Sequence, residues 1–106
     1  MIVWQKAKAL SVNIYKSFEN SKDYGFRDQI LRSSISIMNN IAEGFERHSN
    51  SEFRHFLYIS KGSCGELRSM LHLAKDINKI DDEQYEKLIK DSVEISRMLS
   101  GFIKKL

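Results

Sequence analysis

Proline is absent from the 106 residues, glycine occurs five times and cysteine once. A sandwich or barrel of many short strands needs turn residues that this chain lacks, whereas its abundant Leu, Ile, Lys, Glu, Ser and Arg favour helices. An all-α fold follows. The single cysteine, Cys64, can form neither an internal disulfide nor a multi-cysteine zinc site, which suits a reducing compartment, and its expected role is packing. Apolar runs end after a few residues, far short of the roughly 20 needed to span a bilayer, and no signal-peptide pattern opens the chain. A cytoplasmic protein with no membrane partner is expected. The length allows one domain, residues 1–106, with one core.

What is present is four amphipathic segments. In the first, Trp4, Ala7, Leu10 or Ser11, Ile14 and Phe18 recur at three- and four-residue steps, and the stretch Asn20-Ser21-Lys22-Asp23-Tyr24-Gly25 breaks the pattern. The second carries Phe26, Ile30, Ile37, Ile41 and Phe45 on its apolar stripe. Ser49 and Glu52 then form a capping signature ahead of the third, whose stripe is Phe53, Leu57, Ser60, Cys64, Leu67, Leu71 and Ala74. Asp81 and Gln84 repeat the signature before Tyr85, Leu88, Ser92, Ile95, Leu99, Phe102 and Leu106. These spacings predict helices over about 2–20, 26–48, 51–78 and 82–105. Short connections make sequential helices antiparallel neighbours, so the expected assembly is a left-handed, up-down-up-down four-helix bundle, an elongated rod.

Two helices carry more than one stripe. On the third, Ile59, Ser63, Glu66, Met70, Leu73 and Ile77 follow a second 4-3-4-3-4 series. Either this helix is buried more deeply than usual, or Ile59, Met70, Leu73 and Ile77 contribute to an interface between copies. On the second, Gln29, Arg32, Ser36, Asn40, Glu43 and Arg47 form a polar stripe. A solvated face is the ordinary explanation. A hydrogen-bonded network with Ser63 and Glu66, with Arg32 or Arg47 pairing Glu43 or Glu66, and a binding site for a partner are the alternatives. Gly44, Gly62 and Gly65 cost helix stability, about 1 kcal/mol each relative to alanine, which points to close helix approach.

The run Trp4-Gln5-Lys6-Ala7, then Gln29-Ile30-Leu31-Arg32, Ser36-Ile37-Met38-Asn39-Asn40-Ile41-Ala42-Glu43-Gly44 and Gly62-Ser63-Cys64-Gly65-Glu66-Leu67 resembles the four-helix-bundle proteins called 23S rRNA-intervening-sequence proteins. The resemblance spans nearly the whole chain, and the family has no agreed biochemical activity. It implies a closed ring of five subunits, a homopentamer. Members of the family are encoded within insertions of bacterial 23S rRNA genes. A similar basic pentameric bundle serves diversity-generating retroelements as an accessory that engages nucleic acid and a reverse transcriptase. The chain departs from the family pattern at Met38 and at Tyr24-Gly25-Phe26, where relatives usually carry proline, so a straighter second helix is expected.

Enzyme chemistry finds little support. Glu52-x-x-His55 has the spacing used in di-iron bundles, but no second copy exists. His48, His55 and His72 show no metal-ligand spacing with Cys64, and no phosphate-cradling glycine loop or nucleophile elbow is present. No enzyme, cofactor or metal is expected. The net charge of +3 and pI of about 9.0 make any attraction to phosphate depend on clustering. The first helix holds Lys6, Lys8 and Lys16, the third Arg54, Lys61, Arg68 and Lys75, while the fourth, opening with Asp81-Asp82-Glu83, is slightly acidic. Five copies of a +3 chain would sum to about +15, enough for several phosphate contacts. RNA or DNA bound by its backbone is therefore the leading expectation, with solvated lysines as the plain alternative. An adaptor ring that binds a protein partner is the other functional reading.

Overall fold

Asp23, Ser49 and Asp81 each stand directly before a helix and accept a hydrogen bond from a backbone N–H three residues on. These caps fix the starts of α2 (Tyr24–Phe45), α3 (Asn50–Asp76) and α4 (Asp82–Lys104), while α1 (Ile2–Phe18) begins without a side-chain cap. The computed structural model describes all residues, 1–106. At Asp81 the capping box is complete, because the Gln84 side chain accepts from the Asp81 N–H in return. At Ser49 only the serine half forms. The expected break before α2 is shorter than the sequence suggested, since Asp23 caps the helix and draws Tyr24 and Gly25 into its first turn. α2 is also three residues shorter at its end than expected, stopping at Phe45. α3 stops at Asp76, where Asn78 takes a left-handed conformation (φ 60°) and the Lys79 N–H bonds the Ala74 carbonyl at 2.8 Å.

The helices form an antiparallel four-helix bundle measuring 43 × 22 × 19 Å. Register shows the direction of each neighbouring pair. Phe18 meets Phe26 at one end of α1/α2, and Trp4 meets the Phe45 region at the other. His72 pairs with Tyr85, and Phe53 with Phe102, along α3/α4. Ser36 bonds Ser63 while Gly44 abuts Phe53, and Lys6 bonds Glu94 while Lys16 lies beside Gln84. α1 and α3 sit on opposite corners, as do α2 and α4, with no direct helix contact across either diagonal.

The buried side chains follow the expected stripes, with Ile14, Ile30, Ile37, Ile41, Leu57, Cys64, Leu67, Leu71 and Leu99 fully enclosed. Burial of side chains this large contributes about 1.5–3 kcal/mol apiece and is the main force closing the bundle. Two expectations fail. Phe45 is 60% exposed, because α2 ends there and only the edge of Phe53 covers its ring. Met70 is only 9% exposed and joins the core, so it cannot belong to an outer stripe with Ile59 and Leu73. No proline interrupts α2, which runs unbroken past Met38. No helix is long and apolar enough to cross a membrane.

Candidate nucleic-acid interface

Arg54, Lys61, Arg68 and Lys75 recur at steps of seven, and two turns of helix return a side chain to nearly the same side. That side faces α4. Arg68 donates from Nη1 to the Ser92 hydroxyl at 3.2 Å, and Ser92 in turn donates to the Cys64 carbonyl. The Lys75 ammonium lies 4.5 Å from the centre of the Tyr85 ring. Cations thus flank the α3/α4 seam over about 30 Å, the rise of the 21 residues from Arg54 to Lys75.

α4 adds a second row that the sequence reading missed. Lys6 bonds Glu94 at 2.6 Å and lines a hollow with Asp91, which turns the acids of mid-α4 toward α1. Helical geometry then places Lys90, Arg97 and Lys104, again at steps of seven, on the outward side of α4 adjoining the seam, and all three are exposed. The remaining acids stand apart. Glu52 reaches toward Arg47 in the α2–α3 connection, and Asp76, Asp82, Glu83 and Glu86 lie at the far end. A helix slightly acidic in total therefore presents one basic side. The missed signal was the heptad spacing.

The topology separates the α1 cations from the α3 cations. Lys6, Lys8 and Lys16 lie on α1, diagonally opposite α3, so the two sets cannot share one surface within a chain. Lys6 is further occupied by Glu94: the shared hydrogen bond holds the Glu94 carboxyl below, and the Lys6 ammonium above, their ordinary pKa ranges. Lys8 sits 5.6 Å from the Trp4 ring, and Lys16 borders a hollow with Lys87.

The polar stripe of α2 divides into two groups and two single residues. Ser36 and Ser63 are 2.8 Å apart, Asn40 Nδ2 donates to the Ser36 hydroxyl and carbonyl, and Ser63 donates to the Ile59 carbonyl. Either hydroxyl can donate between the two serines, and the group formed by Asn40, Ser36, Ser63 and the Ile59 carbonyl links α2 to α3. Arg47 donates to Glu43 at 2.6 Å, approaches Glu52 at 3.9 Å and covers the Phe56 ring at 4.7 Å. Gln29, Arg32 and Glu66 are exposed, and Arg32 makes no ion pair with Glu66.

Gly44 behaves as expected, since a Cβ there would lie 2.9 Å from Phe53 Cδ1 and 2.9 Å from Phe56 Cβ. Gly62 and Gly65 do not. Nothing lies within 4 Å of a Cβ at Gly62, and only the tip of Arg68, at 3.9 Å, near Gly65.

The sequence matches the family described as 23S rRNA-intervening sequence protein over residues 1–101. The chain belongs to that family. Its fold is also that of a solved structure from Bacteroides thetaiotaomicron, described as a protein with unknown function from the S23 ribosomal protein family. That protein is 34% identical, with a TM-score of 0.90 over 96% of this chain and 98% of the other. No curated protein matches. In this 23S rRNA-intervening sequence protein the family-signature residues are largely architectural: Ile37 and Ile41 fill the core, Ser36 and Asn40 cross-link α2 to α3, and Gly44 admits two phenylalanines. Cys64, in the second signature, is fully buried, and burial pushes its thiol up to about 11 despite nearby Arg68. His72 is held by Tyr85 at 2.6 Å, and no group of three or more His, Cys, Asp or Glu side chains converges as a metal site would require.

Proposed function

We propose that this protein is a non-enzymatic, self-assembling bundle that binds the phosphate backbone of RNA or DNA through the α3/α4 seam, in the cytoplasm. One observation carries the reading: two heptad rows of cations, Arg54-Lys61-Arg68-Lys75 and Lys90-Arg97-Lys104, border one 30 Å strip whose acids are turned elsewhere or gathered at one end. A weak net charge is no obstacle when the charges are sorted by face. The strip has shallow relief and offers few groups to read base edges, so recognition rests on backbone and shape. Self-assembly, with five subunits as the family resemblance implies, multiplies the strips and adds avidity.

The test is fluorescence anisotropy of labelled structured RNA and duplex DNA at several salt concentrations. The combined variant Arg54→Gln, Lys61→Gln, Lys75→Gln should bind more weakly and lose about 1 from the salt slope for each phosphate contact removed. Lys16→Gln should change neither. Absence of binding at low salt sinks the proposal. The second reading, an adaptor that binds a protein partner, draws on Arg32 and Glu66, which project from the polar stripe with no ion pair of their own. Under that reading Arg32→Ala or Glu43→Ala abolishes capture of the partner, and salt has little influence.

A further inference from the structure

α4 exposes no large apolar side chain, whereas α1, α2 and the α3 region between them expose eleven, from Met1 to Ile77. Eight of them fall in two patches of opposite shape, Met1, Val12, Tyr15, Ile35 and Phe45 in one and Ile59, Leu73 and Ile77 in the other. On one side α1 and α2 leave an open groove. Its central hollow, about 390 Å³, is lined by Ser11, Val12, Ile35 and Met38, and further hollows continue it toward Phe45 at one end and Phe18 at the other. Ser11 lines this groove with only 7% of its surface exposed, and its hydroxyl is itself buried and has no hydrogen-bond partner. Ser33 and Ser34, by contrast, donate to carbonyls of their own helix.

The second patch is a ridge on α3. Ile59, Leu73 and Ile77 stand 39%, 50% and 47% exposed, and Gly62, with open space above it, lets another backbone approach closely. Glu66 occupies the middle of this ridge with no cation in reach. From Ile59 to Ile77 the ridge is about 27 Å long, and the 17 residues of α1 give the groove about 26 Å. The chemistry also matches. The groove has Lys8 at its centre and an apolar end at Trp4 and Phe45, its other end being edged by Glu19, Arg27 and Asp28, and the ridge has Glu66 at its centre with apolar ends.

We propose that the α3 ridge of one copy lies in the α1/α2 groove of the next, with Glu66 meeting Lys8. This rests on the self-assembly reading above and specifies its two faces. Because ridge and groove are different surfaces, the contact is heterologous. α3 is diagonal to α1 and the two patches are different surfaces, so repeated pairing runs head to tail from copy to copy. The α3/α4 strip stays outside the contact.

Light scattering coupled to size exclusion tests the pairing, with Leu73→Glu spoiling the ridge and Val12→Glu spoiling the groove. Both positions are exposed, and circular dichroism verifies that each variant folds. The wild type should assemble at tens of micromolar. Each variant alone should run at 12.4 kDa, and an equimolar mixture should yield a 24.8 kDa pair (2 × 12.4), because one intact ridge and one intact groove remain. Lys8→Glu and Glu66→Lys should each weaken assembly, and the double reversal should restore it. A mixture that stays at 12.4 kDa, or a Val12→Glu protein that assembles normally, overturns the pairing while leaving self-assembly intact. A wild type that itself runs at 12.4 kDa removes the self-assembly reading with it.

Discussion

Replacing Gly44 and Gly62 separately by alanine should move stability in opposite directions. Both glycines lie inside helices, so each substitution gains the same intrinsic preference, about 1 kcal/mol. At Gly62 nothing stands within 4 Å of the new methyl, and the gain is kept. At Gly44 the methyl arrives 2.9 Å from Phe53 Cδ1, 2.9 Å from Phe56 Cβ and 3.2 Å from the Phe53 carbonyl. A ring can turn aside; a carbonyl and a Cβ move only if the start of α3 moves. Overpacking of this kind costs about 1–3 kcal/mol, leaving Gly44→Ala near neutral to about 2 kcal/mol destabilised. The difference between the two variants cancels helix preference and isolates packing, at about 1–3 kcal/mol. For a domain of this size, 1 kcal/mol shifts the melting temperature by roughly 4–8 °C. Urea and thermal unfolding followed by circular dichroism, at low micromolar protein, reads both. If Gly44→Ala stabilises as much as Gly62→Ala, the close approach of α2 to α3 is not what selects glycine at position 44.

Asp81→Ala should cost about 1 kcal/mol by removing the carboxylate that accepts from the Gln84 N–H, while the bond from the residue-81 N–H to the Gln84 side chain survives, and Asp81→Ser should retain most of that stability, as urea midpoints would register. The Lys6–Glu94 bond gives a pH dependence of known sign. The depressed Glu94 contributes stability above the ordinary carboxylate range and loses it as pH falls through its native value, whereas the raised Lys6 loses its share only in strong alkali. The stability difference between wild type and Glu94→Gln should therefore shrink on acidification below the carboxylate range, and shrink with added salt, because both groups are half exposed. Cys64, buried and with its thiol raised to about 11, should react with a thiol reagent at pH 8 only as fast as the bundle opens; rapid labelling of the native protein would contradict its burial.

Most of the bundle is legible from apolar spacing, because a stripe such as Leu57-Ser60-Cys64-Leu67-Leu71 has one low-energy destination, the core. Helix ends were less so. Whether Asp23 ends a loop or starts a helix depends on one local bond to the Phe26 N–H, and composition cannot distinguish the two. Charge was misjudged for another reason. Totals per helix made α1 and α3 basic and α4 slightly acidic, but interfaces depend on faces, and the face that α4 turns outward is set by burial of Leu88, Ile95 and Leu99, which leaves Glu94 beside Lys6 of neighbouring α1. Met70 shows the same limit. Its spacing fits an outer series with Ile59 and Leu73, yet a few tens of degrees of rotation carry it into the core.

The separation of surfaces has a consequence for binding that neither proposal has alone. If phosphate contacts use the α3/α4 strip while assembly uses the α3 ridge and the α1/α2 groove, a change on the ridge should weaken nucleic-acid binding without touching a single cation of the strip. Leu73→Glu supplies that case: its strip is complete, but each particle carries one copy of it. Linking several strips raises avidity by about 10²–10⁴ when the geometry permits simultaneous engagement. The variant should therefore bind long duplex or structured RNA more weakly by a factor in that range, with a shallower salt slope, because fewer phosphates are neutralised per particle. Short ligands that span one strip should bind the variant and the wild-type subunit alike. Anisotropy with a short and a long duplex, on both proteins at one salt concentration, separates these effects. Equal affinity of the dissociated variant for the long ligand would mean that one strip suffices and that assembly serves some other end.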